Sequence, residues 1–202
     1  VKILAPYAND QVAIDDETVV RCWTMSEDER LTELSAQIEL LDLDILVVQF
    51  NYGFYNFQAF SDFLNAQLDK EKVVVVVMHA TVDPIHVPHR KLSMLRGALS
   101  RCHRVLVHSI ADMNRLKDLS LVDNVAIFPH GVLDHSIQVP TQNLVFKVAS
   151  YGFFLPHKGL LELIEAIGLL HGKGVKVELH MINAEYPAAE SKNIIQQAKD
   201  KI

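Results

Sequence analysis

Lys158 is the penultimate residue of the segment Ser150-Tyr151-Gly152-Phe153-Phe154-Leu155-Pro156-His157-Lys158-Gly159, and its position invites a phosphate. The segment lies between an apolar run, 144–149, and a strongly patterned helix from Gly159 to His171. The first N–H groups of a helix lack partners, and the helix dipole puts partial positive charge there. A lysine in that first turn is disfavoured unless an anion offsets it. Pro156 suits a helix opening, where its missing N–H is not needed. The plainer alternative is a surface lysine paired with Glu162, worth only about 0.2–0.5 kcal/mol in the weaker Lys-before-Glu order. A phosphate at about 4 Å would gain up to roughly 4 kcal/mol at an effective dielectric near 20, before desolvation.

His79 is the second residue with chemical promise. It ends the apolar run Val73 to Met78, at the carboxyl edge of a strand, where α/β proteins bind ligands. A structural histidine bonded to a nearby carbonyl is the competing reading. His86-Val87-Pro88-His89 has a spacing that raises a metal, but no cysteine or carboxylate completes a ligand set, and no metal is expected. Tyr52-Gly53 could line a pocket. Tyr52, Phe54, Tyr55 and Phe57 could equally be packing.

The elements that must hold these residues alternate along the chain. Strands are expected over 18–22, 44–50, 72–79, 104–107 and 124–128. Helices are expected from Ser26 to about Leu41, from Phe57 to Leu68, over 92–102, and from a Ser109 cap to Leu119. Ser26 with Glu29 reads as a capping box. After 131–143, which carries Pro140 and no periodicity, the rhythm restarts with strand 144–150, helix 158–171, strand 174–182 and helix 187–201. Repeated βα units imply parallel sheets with right-handed crossovers. Two domains are expected, 1–140 and 141–202, both Rossmann-like.

Half of the residues are hydrophobic, so a sizeable core is available, and the net charge of −6 argues against broad nucleic-acid binding. Cys22 and Cys102 form no redox or metal motif, which fits a reducing compartment. The longest apolar run is far too short to span a bilayer. A cytoplasmic location is expected. The chain opens on a strand-like run without an initiator Met, so it is expected to be part of a longer protein.

Five segments together carry a resemblance. They are 44–53 (DILVVQFNYG), 77–81 (VMHAT), 105–109 (VLVHS), 128–132 (FPHGV) and 151–159 (YGFFLPHKG). In this order and spacing the chain resembles GT-B glycosyltransferases of the group 1 (family 4) type, truncated at both ends. The resemblance implies an enzyme of glycan or polysaccharide biosynthesis that moves a sugar from a nucleotide diphosphate sugar to a glycan, lipid-linked or other acceptor. It implies retention of configuration and catalysis without a metal or other cofactor. Lys158 matches the lysine that neutralises the donor diphosphate, with Gly152 and Phe153 in the same loop. His79 matches a histidine near the transferring sugar, and His130 and Gly131 match the segment entering the interdomain cleft. Tyr52, Gly53, Arg90 and Lys91 fall on the acceptor or membrane side.

Departures from the family pattern keep two alternatives open. Phe153 stands where many members carry an arginine. The glycine-rich loop of the first strand and the paired glutamates of the donor domain are absent, so the chain alone is expected to be inactive. A non-catalytic nucleotide-sugar-binding or partner subunit is one alternative; a GT-B epimerase is the other. Between Asp83 and Asp112 lies a stretch without acids that carries Arg90, Lys91, Arg96, Arg101 and Arg104. It reads either as a solvated helix surface or as a face for peripheral contact with an anionic membrane.

Overall fold

The computed structural model describes residues 1–7, 15–85, 87–134, 145–186 and 189–202. The chain divides into two compact units, Val1–Leu133 and Asp134–Ile202. The boundary expected at 140/141 lies outside the described residues, as do His86 and the start expected for the last helix.

The first unit holds a four-stranded parallel sheet in the order β3-β4-β5-β6. Its strands are β3 (Ile45–Phe50), β4 (Val73–Met78), β5 (Arg104–Val107) and β6 (Val125–Ile127). A separate parallel pair joins β1 (Ile3–Pro6) to β2 (Val19–Trp23). The apolar β4 sits between β3 and β5, and its β-branched run suits a strand with neighbours on both edges. Val74, Val76, Val77 and Met78 are buried there. The edge strand β3 alternates instead, burying Leu46 and Phe50 and exposing Ile45 and Val47.

Helix α2 (Phe57–Asp69) supplies the largest apolar face, with Phe57, Phe60, Phe63 and Leu64 buried. Asn56 caps it by accepting from the Ala59 N–H at 2.9 Å. Phe60 packs on Phe50 and Tyr55, and Tyr55 stacks on Trp23 with centroids 5.0 Å apart. The chain then forms a 3-10 turn (Leu92–Leu95), α3 (Arg96–Arg101) and α4 (Ile110–Asp118). The expected helix over 92–102 is thus a 3-10 turn followed by a short α-helix.

The expected capping box at Ser26 does not form. Helix α1 (Thr32–Leu40) starts six residues after it, behind Leu31 in a left-handed conformation (φ 57°). Glu29 is spent elsewhere: its carboxylate accepts from the Thr24 N–H and hydroxyl at 2.9 and 2.7 Å and from the Leu31 N–H at 2.6 Å. A carboxylate that braces the entering chain cannot also reach back to close a box.

The second unit pairs β7 (Phe146–Phe153) with β8 (Val177–Ala184) in parallel. A 3-10 turn (Pro156–Lys158) leads into α5 (Leu160–Gly172), and α6 (Ala189–Asp200) follows β8. Among the described residues, Leu160, Ile164 and Ile167 of α5, Val177 of β8, and Ile194 and Ala198 of α6 are its buried apolar residues.

Candidate functional site

Three histidines meet at the carboxyl edge of the four-stranded sheet. In the parallel register Phe50, Met78, Val107 and Ile127 form one rung. His79 and His108 are the residues immediately after that rung on β4 and β5. His130 follows β6 two residues after Phe128, whose N–H donates to Val107 O at 2.7 Å. One ring nitrogen from each of His79, His108 and His130 lies within 4.8 Å of the others. The rings of His108 and His130 stack with centroids 3.6 Å apart and an interplanar angle of 22°, and His79 lies 5.1 Å from His108.

Two of these rings have fixed partners. His79 Nε2–H donates to Gln49 Oε1 at 2.6 Å. Gln49 pairs with Val77, two residues before His79, so alternation puts both side chains on one face. His108 Nδ1–H donates to Phe128 O at 2.8 Å. Each bond fixes a tautomer and leaves the other ring nitrogen with a lone pair. His108 Nε2 is shut off from solvent and has no hydrogen-bond partner. Burial, and then the neighbouring imidazoles of His108 and His130, hold the His79 pKa below the usual histidine value.

A hydrogen-bonded cluster braces the loops that follow β4 and β5. Ser109 caps α4, and its hydroxyl donates to Asp112 Oδ2 at 2.5 Å. The buried Thr81 donates to Asp112 Oδ1 at 2.5 Å, and Arg115 reaches the same oxygen at 2.9 Å. These bonds, from Ser109 first and Thr81 next, hold the Asp112 carboxyl below the usual range.

The other predicted residues of this unit have structural partners or open surroundings. Tyr52 is buried against Phe50 and Phe57, and its hydroxyl donates to Asp83 Oδ1 at 2.9 Å. Gly53 is exposed, its N–H turned to Asn51 Oδ1. Arg90 pairs with Glu27, and Lys91 Nζ lies 3.8 Å from Asp83. Arg101 pairs with Asp69 at 2.5 Å. Three of the five cations in the basic stretch are therefore held by acids. His130 and Gly131 are exposed, and a side chain added at Gly131 would meet nothing within 4 Å.

In the second unit, the turn expected to take a phosphate is built as a strand, a 3-10 turn and a helix start. Gly152 (φ 122°) and Gly159 (φ 65°) occupy backbone conformations that disfavour side chains. Pro156 opens the 3-10 turn, and Gly159 is the N-cap of α5 without a side chain to shield its N–H groups. Lys158 is exposed. Among the described residues of this unit, Lys147, Lys192 and Lys201 lie beside acids and Lys158 does not, so the plain pairing of Lys158 with Glu162 does not form. Phe153 packs edge-on against Tyr186 with centroids 5.3 Å apart. A cavity of about 600 Å³ in this unit is lined by Ile164, Ile167, His171, Val177, Met181 and Ile202, and the Lys158 turn does not contribute to it.

Sequence reasoning named His79 and His130 and missed His108 and Gln49. Both missed residues lie within segments that carry the resemblance. Their convergence is visible only once the strand register is fixed.

No protein-family model matches the chain, and no curated protein matches it. Among solved structures, TarM is similar with a TM-score of 0.62 and 17% identity over 85% of this chain. The fold is Rossmann-like α/β with parallel sheets, as in the GT-B architecture of TarM. The chain spans about a third of TarM, 34% of its length. No helix among the described residues is long and apolar enough to cross a membrane.

Proposed function

We propose that the chain belongs to a glycosyltransferase that moves a sugar from a nucleotide diphosphate sugar to a glycan or lipid-linked acceptor, with retention. The observation that carries this reading is the meeting of His79, His108 and His130 at the carboxyl edge of a parallel sheet, in a chain that shares its fold with TarM. TarM is a wall teichoic acid glycosyltransferase, which supports glycosyl transfer in general. Departure of a nucleoside diphosphate builds negative charge on the leaving oxygens, and preorganised donors aimed there usually supply the largest catalytic contribution. In this reading Lys158 and the N–H groups behind Gly159 receive the diphosphate, with Gly152 letting the loop turn. His79, neutral and anchored by Gln49, offers its remaining nitrogen to a hydroxyl of the sugar or acceptor.

The test is thermal stabilisation by nucleoside diphosphates. A ligand at one hundred times its dissociation constant stabilises by about 2.7 kcal/mol. Stabilisation by one base in preference to others is expected, and Lys158→Ala should abolish most of it. Equal stabilisation of wild type and Lys158→Ala would remove the donor assignment.

Phe153 favours a second reading, a nucleotide-sugar-binding subunit without turnover, because no arginine stands there to share the leaving charge. That protein would bind the diphosphate and hydrolyse no donor. An epimerase would convert a nucleotide sugar with no acceptor present.

A further inference from the structure

We propose that His79, His108 and His130 form a binding site for a divalent transition-metal ion, zinc foremost. The proposal rests on the geometry of the first unit and not on the sugar-transfer reading. Three imidazoles offer nitrogen atoms within 4.8 Å of one another. Imidazole suits zinc, copper, iron and nickel rather than magnesium or calcium. Three protein ligands leave a fourth tetrahedral position for water.

The second observation is the state of the rings. Metal-binding histidines almost always donate their other N–H to a carbonyl, a carboxylate or water, which orients the ring and raises its basicity. His108 does this through Nδ1–H to Phe128 O, and His79 through Nε2–H to the Gln49 side-chain oxygen. His108 Nε2 is then a buried acceptor with nothing to accept. A buried polar atom without a partner is destabilising, because it has given up water and gained no bond in return. A metal ion removes that cost, whereas the His130 ring, stacked on the face of His108 at 3.6 Å, aims no N–H at that nitrogen.

The arrangement requires one movement. Ligand nitrogens about 2.0–2.1 Å from a tetrahedral zinc lie about 3.3 Å apart. The exposed His130 ring must therefore turn off the face of His108 and swing inward, while His79 and His108 keep their anchors. An ion seated there takes up the His79 nitrogen that sugar transfer would use, so zinc would act as an inhibitor in that reading.

The experiment uses the whole chain, stripped with chelator and titrated with Zn²⁺ against a chromophoric competitor, with Co²⁺ as a spectroscopic probe. One equivalent of Zn²⁺ and visible cobalt bands of tetrahedral intensity are expected. His108→Ala and His130→Ala should each weaken Zn²⁺ at least tenfold, and His180→Ala should leave it unchanged. His130 is exposed, so its variant reads the site without disturbing the core. Gln49→Leu, which removes an anchor and no ligand, should weaken binding tenfold or more. Absence of a stoichiometric site, or equal Zn²⁺ affinity in wild type, His108→Ala and His130→Ala, would overturn the proposal.

Discussion

Gln49 Oε1 and His79 Nε2 lie 2.6 Å apart, joining the carboxyl ends of β3 and β4 through one hydrogen bond on one face of the sheet. The glutamine oxygen is an acceptor only, so it selects the Nε2–H tautomer of the histidine. Long-range ¹⁵N–¹H spectra at pH 8 should show His79 protonated at Nε2. In Gln49→Leu the Nδ1–H tautomer should become substantially populated. An unchanged tautomer in the variant would mean that another group orients the ring.

Asp112 ties the loop after β4 to the start of α4, and its pKa gives a signed pH dependence. Its carboxyl titrates below the unfolded value, which is about 3.9. Between the two values the unfolded chain binds more protons, so stability rises with pH there. The contribution is complete above about pH 5 and is lost as pH falls through the folded-state value. Asp112→Asn should lower stability at pH 7 by about 1–2 kcal/mol and flatten the acid limb of a stability–pH curve measured by urea denaturation.

Gln67 is fully buried on α2, and both polar atoms of its amide lack partners. An unpaired buried amide costs about 1–3 kcal/mol, and an apolar side chain of similar size avoids that cost. Gln67→Leu should raise the urea midpoint with an unchanged slope, by about 1 kcal/mol or more. A fall in midpoint would place a hydrogen-bond partner on that amide in solution.

Burial pushes the thiols of Cys22 and Cys102 up to about 11. At pH 7.5 very little thiolate exists, and the thiolate is the nucleophile. Iodoacetamide should therefore leave both residues unmodified in the native protein and alkylate both in urea. Above about pH 8.5 the unfolded thiols release protons that the folded ones keep, so stability should fall as pH rises from there towards 11. Rapid labelling of native protein would show that one of these residues is open to solvent.

The βα rhythm was legible because its signals are local. Arg104–Val107 is a strand with the expected ends, and Ser109 caps α4 as expected. The cap on α2 escaped notice because Asn56 sits among turn residues, where asparagine is common for other reasons. Ser26 misled because the fate of Glu29 depends on Thr24, which local spacing does not fix. The basic stretch is real as a sequence, yet Arg90 finds Glu27 and Arg101 finds Asp69 from distant elements. His108 shows the limit most clearly. Nothing in Val-Leu-Val-His-Ser distinguishes it from the other histidines of the chain, and its partners come from register between strands far apart in sequence.

That register also makes the histidine trio a witness to assembly. Each imidazole is delivered by a different βα unit, so a chain whose units have formed but not yet docked holds three isolated rings. Ring-current shifts of their carbon-bound protons should emerge with the last strand pairing, and site-specific NMR during refolding would time the closing of the sheet.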